Sequence, residues 1–210
     1  MKITETAIRR RRLYLMRLDN DTEYTVDRQT FDESPYRVGE EIAEEQLEAL
    51  LQKSQYNRAR ERALYLLGLR DYACGELEKK LYTEASPEIA AAVIARLQEV
   101  GLLDDAAYAR RLARHLMEYK QYPRRRIEQE LRHRGIDAFV IADALAQLDS
   151  DDLQQALALL EKKYYNKLKT PEDRRRVVAA LARRGFSYGA IRGAMERMNA
   201  PDDEEIDEWQ

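Results

Sequence analysis

The segment IEQELRHRGI, residues 127–136, returns fifty positions later as VVAALARRGF, residues 177–186. Ile127 is matched by Val177, Leu131 by Leu181, Gly135 by Gly185 and Ile136 by Phe186. Working outward, the same offset pairs Ile141 with Ile191, Leu145 with Met195 and Leu148 with Met198. An earlier copy places Leu77 and Leu81 at that offset. It then carries two extra residues, so that Val93, Leu97 and Val100 fall 48 positions before Ile141, Leu145 and Leu148. Self-similarity at a fixed period of this length marks a repeat architecture, and apolar residues three and four apart make each element an amphipathic helix. Every copy reads as a first helix (57–67, 106–119, 153–165), a middle helix, and a third helix (88–100, 137–148, 187–198), nine in all. A three-helix unit of about 50 residues has little core of its own and gains burial by stacking on its neighbours. The expected fold is mainly α: three tandem three-helix repeats, at 56–103, 104–149 and 150–200, forming an elongated array.

The first 55 residues differ in kind. Segments 13–18 and 23–26 are rich in Leu, Tyr, Thr and Val around Asp19-Asn20-Asp21, which predicts a small β-hairpin with a polar turn. Ser34-Pro35 and Gly39 mark loops before Ile42, Leu47, Leu50 and Leu51 begin a helical period. A hairpin alone is marginal, so it is expected to dock on the helix that follows.

Composition bounds the chemistry. Of the 210 residues, 36% are charged, against 8 Gly and 5 Pro, as helices with solvated faces require. Cys74 is the sole cysteine, so an intramolecular disulfide or a multi-cysteine zinc site is excluded by count. The basic amino terminus is followed by no apolar stretch of signal-peptide length, and the longest apolar run, 89–95, is far short of a membrane span. A soluble cytoplasmic protein without membrane association is expected.

The net charge of −3 conceals segregation. Residues 19–49 hold 11 acids against Arg28 and Arg37, and the tail 201–210 holds six acids and no base. Residues 107–134 carry nine Lys and Arg against three acids, and 162–197 carry 11 against three. Two basic helical blocks therefore sit between acidic ends, and partners respond to such local fields rather than to the sum.

The basic blocks have a face. At 100° per residue, Val177, Val178 and Leu181 form the inward stripe of the third copy's middle helix, and Arg175, Arg176 and Arg183 gather on the opposite side. The second copy has Arg125, Arg126 and His133 there, whereas the first has Gly75, Glu76 and Thr83. Arg124 to Arg126 also follow Pro123 at a helix start, where the macrodipole disfavours cations by about 0.3–1 kcal/mol each. A solvated face accounts for one arginine triplet. Two triplets on an equivalent face point instead to a polyanion, whose phosphates would be neutralised without reading of base sequence. The candidate contacts are Arg125, Arg126, Arg175, Arg176 and Arg183, with Arg124, Arg174 and His133 beside them. The block Arg9, Arg10, Arg11 and Arg12 is a second basic candidate.

Other residues read more plainly. His115 and His133 lack a partner at ligand spacing, and Cys74 has no activating His nearby, so no metal, cofactor or catalytic constellation is expected. Gly185, Gly189 and Gly193, four apart, fit close helix approach better than phosphate binding. Tyr119, Tyr122, Tyr164, Tyr165 and Tyr188 suit either packing between repeats or stacking on bases.

The residues GLLDDAAYARRLARHLMEYKQYPRRRIEQELRHRGI, 101–136, with ALYLLGLRDYACGELEKKL, 63–81, resemble the RecX family of RecA regulators. The resemblance rests on Gly101 to Asp105, Tyr108-Ala109, Ile127, Glu130-Leu131 and Gly135-Ile136, and it extends over the three repeats. It implies that the repeats form a curved array in a non-enzymatic protein that needs no cofactor, and a monomer is expected. Such a protein binds RecA nucleoprotein filaments in or near their helical groove, contacts single- and double-stranded DNA without sequence preference, and modulates, usually inhibits, recombinase and ATPase activity. Two departures stand out. Ala73-Cys74-Gly75 replaces a serine-bearing helix start in the first copy, and the acidic tail has no place in the family pattern. An autonomous DNA-binding protein and a helical scaffold for acidic proteins are the competing readings.

Overall fold

The computed structural model describes residues 1–10, 12–149 and 151–198. They fall into two compact units, divided between Asp104 and Asp105.

The first unit opens with an antiparallel sheet of β1 (Ile3–Arg10), β2 (Leu13–Leu18) and β3 (Glu23–Asp27), in that order. The hairpin expected from sequence is β2–β3, which pairs Tyr14 with Val26 and Met16 with Tyr24. The sheet is nevertheless three-stranded. In β1 the two-residue alternation is broken by irregularities between Ile3 and Glu5 and between Ile8 and Arg10, so period counting misses it. Ile3, Met16, Leu18 and Val26 enter a core completed by Phe31, Ile42, Leu47 and Leu50. A short helix, α1 (Arg28–Glu33), follows β3 directly. The Asp27 carboxylate caps it by accepting from the Thr30 amide at 2.9 Å. The Asp27 amide donates to Ser54 Oγ at 2.7 Å, and Asn57 Nδ2 donates to Thr30 Oγ1 at 2.8 Å. These bonds fasten the sheet to the next helix with its buried polar groups satisfied.

That helix, α2 (Glu44–Leu67), runs 24 residues without interruption. The repeat arithmetic sets the first repeat at residue 56, with a helix from 57. No Gly or Pro lies between Glu44 and Leu67 to end a helix there, so the two segments fuse. With α3 (Cys74–Leu81) and α4 (Pro87–Glu99) it encloses Ala59, Ala63, Leu66, Leu77, Leu81, Val93 and Leu97. Ser86 caps α4 through the Ile89 amide, whereas α3 starts at Ala73 with no side-chain cap.

The second unit holds α5 (Asp105–Glu118), α6 (Arg124–His133), α7 (Ala138–Ala146), α8 (Asp152–Leu159), α9 (Pro171–Arg183) and α10 (Tyr188–Arg197). Thus α2 to α10 supply three sets of three. The repeated Gly-Ile and Gly-Phe pairs end the middle helices. Gly135 and Gly185 adopt φ of +77° and +98°. The following amides, of Ile136 and Phe186, donate back to the carbonyls of Leu131 and Leu181 at 3.4 and 3.3 Å. This termination needs left-handed backbone at the glycine and returns the next apolar residue to the core, where Ile136 and Phe186 are buried.

One expected helix divides. The spacing predicts a single helix over 153–165, but α8 gives way to a π-helical turn, Leu160–Tyr164, and a 3₁₀ turn, Tyr165–Lys167. Ala156, Leu159 and Leu160 face the core of the third set, and Tyr164 and Leu168 pack against it. The wider turn stretches the helical period to reach them. Among the described residues, no helix is long and apolar enough to cross a membrane and no cluster of His, Cys, Asp and Glu could hold a metal.

Candidate nucleic-acid interface

The start of α6 answers the question of its arginines. Pro123 occupies the N-cap rather than the first helical position, and it offers no side-chain cap. Arg124, Arg125 and Arg126 therefore form the first turn, with no acid among them. Compensation arrives from elsewhere in the chain, because the Arg124 amide donates to Asp152 Oδ1, on the first residue of α8, at 3.0 Å. A carboxylate at a helix start meets both the unpaired amides and the positive end of the dipole.

The three arginines differ above the backbone. Arg124 and Arg125 are exposed, and Arg125 forms no ion pair among the described residues. Arg126 is half-buried, lies 5.7 Å from the Tyr122 ring centroid and pairs with Glu130 at 2.8 Å. His133 is exposed at the far end of the helix.

In α9 the homologous triplet sits deeper in its helix. Thr170 caps α9 by accepting from the Asp173 amide at 3.1 Å, Pro171 opens it, and Glu172 and Asp173 fill the first turn. Arg174 to Arg176 thus come one turn later than their counterparts and suffer no dipole penalty. Arg175 and Arg176 are exposed, with Arg176 3.7 Å from Asp173, and Arg183 is exposed with no ion pair among the described residues. Arg174 does not belong with them. It is 8% exposed, and its Nη1 donates to the Leu168 carbonyl at 3.4 Å, so it braces the segment before α9 rather than meeting a partner. The angular count sets Arg174 only 100° from Arg175. That rotation is enough to carry it from the solvent face to the packed one.

The two arginine helices meet through Gly185. A Cβ at this position would lie 3.0 Å from Arg126 Cβ and 3.5 Å from Pro123 Cγ. The end of α9, carrying Arg183, is therefore seated on the start of α6. Gly193 is equally tight, 2.8 Å from Leu153 Cδ1, but nothing lies within 4 Å of Gly189, so close approach explains two of the three spaced glycines.

The remaining candidates lie in the first unit. Arg9 donates to Thr25 Oγ1 at 2.6 Å, Arg10 is exposed and Arg12 pairs with Glu61. Arg11 lies outside the described residues, as does the acidic tail. Glu76, at the first copy's position equivalent to Arg126, is engaged by Arg70 at 2.5 Å. Among the tyrosines, Tyr119 is exposed and stacks on His115 at 5.0 Å, Tyr122 underlies Arg126, Tyr164 joins the third core, and Tyr165 and Tyr188 are exposed.

Guanidinium groups held on stable helices and left open to water suit a chain of phosphates, since each accepts charge-assisted bonds and releases counterions. Comparison with known proteins specifies the lineage. Family models described as the first, second and third three-helix domains of RecX match residues 59–97, 104–145 and 149–195. This chain belongs to the RecX family. The Regulatory protein RecX of Trichlorobacter lovleyi is 35% identical over 141 residues, 64% of this chain and 92% of that protein. That of Clostridioides difficile is 28% identical over 166 residues, 77% of this chain and 78% of its own. A crystal structure of regulatory protein RecX superposes with a TM-score of 0.62 at 25% identity, covering 95% of this chain and 99% of that one. RecX is thus a family of regulatory proteins, not of enzymes, built on the three-helix domains described above.

Proposed function

We propose that this RecX protein binds RecA nucleoprotein filaments and inhibits their recombinase and ATPase activity. In this reading Arg125, Arg126, Arg175, Arg176 and Arg183 meet the negative charge of the filament, with Arg124 and His133 at the margins. The observation that carries it is the repetition of exposed arginines on the middle helices of two successive three-helix domains, joined by the Gly185 seat. A single exposed arginine is ordinary. Four exposed guanidiniums and a half-buried fifth, on an otherwise acidic chain, match a polyanionic surface that needs cations but no base readout. The protein acts in the cytoplasm, as a monomer, and without a cofactor.

The test is ATP hydrolysis by RecA on single-stranded DNA, with the wild-type chain and with all five arginines changed to Glu. The wild type suppresses hydrolysis and the variant does not, while the melting temperature stays within a few degrees, because exposed substitutions usually change stability by no more than about 0.5 kcal/mol. Arg126→Glu alone adds a small cost of about 0.3–0.5 kcal/mol by placing a second acid four residues from Glu130. Suppression retained by the five-site variant at ordinary salt removes the ridge from the mechanism. A wild type that binds bare DNA but leaves hydrolysis untouched favours an autonomous DNA-binding protein.

A further inference from the structure

Among the described residues of the second unit, a weakly neutralised cationic stretch lies outside the arginine ridge, in the irregular segment after α8. Residues 161–169 read EKKYYNKLK, four lysines against one acid. Lys162, Lys163, Lys167 and Lys169 are all exposed, and none forms an ion pair among the described residues. This contrasts with Arg126 and Arg176, each held by a neighbouring carboxylate.

The backbone shows why the lysines are outside. Had α8 continued as an α-helix, Lys163 would fall four residues after the fully buried Leu159, on the core face. The π-helical turn at Leu160–Tyr164 widens the winding at that point. Tyr164 then packs inward, beneath Lys167 at 5.9 Å, and Lys163 stays in water. The 3₁₀ turn that follows leaves the next aromatic, Tyr165, 69% exposed. Of two adjacent tyrosines one is therefore structural, and the other projects from a lysine-rich surface with no packing role. Single π-turns inside α-helices occur often at functional sites. Cations that track a backbone, beside an aromatic ring open to solvent, are what single-stranded nucleic acid needs, because an unstacked base can lie on the ring. A duplex keeps its bases stacked and offers the lysines only phosphates.

We infer that Lys162, Lys163, Lys167 and Lys169, with Tyr165, form a single-stranded DNA site distinct from the arginine ridge. The inference deepens the DNA contact in the proposed function, yet it needs no recombinase for its test.

The full chain is titrated into a fluorescent single-stranded thymidine oligonucleotide and into a duplex of equal length, across a series of salt concentrations, with anisotropy as the readout. For the single strand, Tyr165→Ala weakens binding by about five- to hundredfold, as loss of one stacked base requires. Duplex affinity is unchanged, and Tyr165→Trp retains single-strand affinity. Changing the four lysines to Glu lowers the slope of log affinity against log salt by about 0.7 for each phosphate that is no longer neutralised. Circular dichroism confirms that all three variants are folded. Four outcomes overturn the site: no single-strand binding by the wild type at low salt, an unchanged slope in the lysine variant, no effect of Tyr165→Ala, or an equal effect of Tyr165→Ala on single strand and duplex. Loss of this site with filament inhibition intact leaves the arginine reading standing, and the converse result leaves this site standing.

Discussion

Replacing Gly185 with alanine tests the junction on which the arginine ridge depends. Two costs add. At φ of +98° an L-residue is strained, by about 1–2 kcal/mol relative to glycine. The new methyl group would also sit 3.0 Å from Arg126 Cβ and 3.5 Å from Pro123 Cγ. Those atoms are anchored to backbone at the start of α6, so relief requires a shift of the helix rather than a rotamer change, and overpacking of this kind costs about 1–3 kcal/mol. The total is about 2–5 kcal/mol. Gly101→Ala is the internal standard, because Gly101 has a similar φ of +74° but nothing within 4 Å of its added Cβ, leaving only the strain. Gly189→Ala, in the helical backbone of α10 with open space around it, should stabilise by about 0.5–1 kcal/mol. Urea unfolding followed by circular dichroism measures all three, with an unchanged denaturant slope showing that the midpoints report stability. A Gly185→Ala penalty no larger than that of Gly101→Ala would refute the seat. If the seat is real, the variant should also weaken the proposed inhibition of RecA without touching an arginine.

Leu131→Ala, which empties a fully buried position of α6, should cost about 2–5 kcal/mol in the same denaturation assay. The Glu88 carboxylate is held below the usual range by its own backbone amide and then by the Ser86 hydroxyl. Its contribution to α4 is present above the unfolded-state pKa and lost as pH falls through the lower folded value. Ser86→Ala should raise the Glu88 titration midpoint in a carboxyl NMR experiment, and an unmoved midpoint denies the contact. Truncation after Ala200, removing the acidic residues 202–208, is expected to tighten DNA binding at low salt and to matter less at high salt, since exposed charges are screened. Equal affinity at low salt with and without the tail rules out competition for the basic surface.

The helical repeat is legible in the sequence because it rests on residues whose roles are local and periodic. Leu131 and Leu181 define the buried stripe, and Gly135 and Gly185 end the helices in a conformation that glycine adopts freely. Strand β1 is not legible, since its bulges hide the alternation that period counting needs. Nor is the fusion at α2, where a change of neighbours, from sheet to helices, happens within one unbroken helix. At the candidate site the angular count places Arg175, Arg176 and Arg183 on the solvent face but does not show that Arg174 turns inward to the Leu168 carbonyl. The partial neutralisation of Arg126 could have been read from Glu130 four residues on. Compensation of the α6 start by Asp152 could not, because it joins residues 28 apart in sequence.

The uninterrupted α2 has a mechanical consequence. Its first half serves the sheet through Leu47 and Leu50, and its second half serves the first three-helix domain through Ala59, Ala63 and Leu66. A helix of 24 residues is a stiff rod of about 36 Å, with no hinge residue along it. A load applied to the strands is therefore delivered as a torque on α3 and α4 instead of being absorbed by a linker. Anything that grips the sheet also steers the first domain.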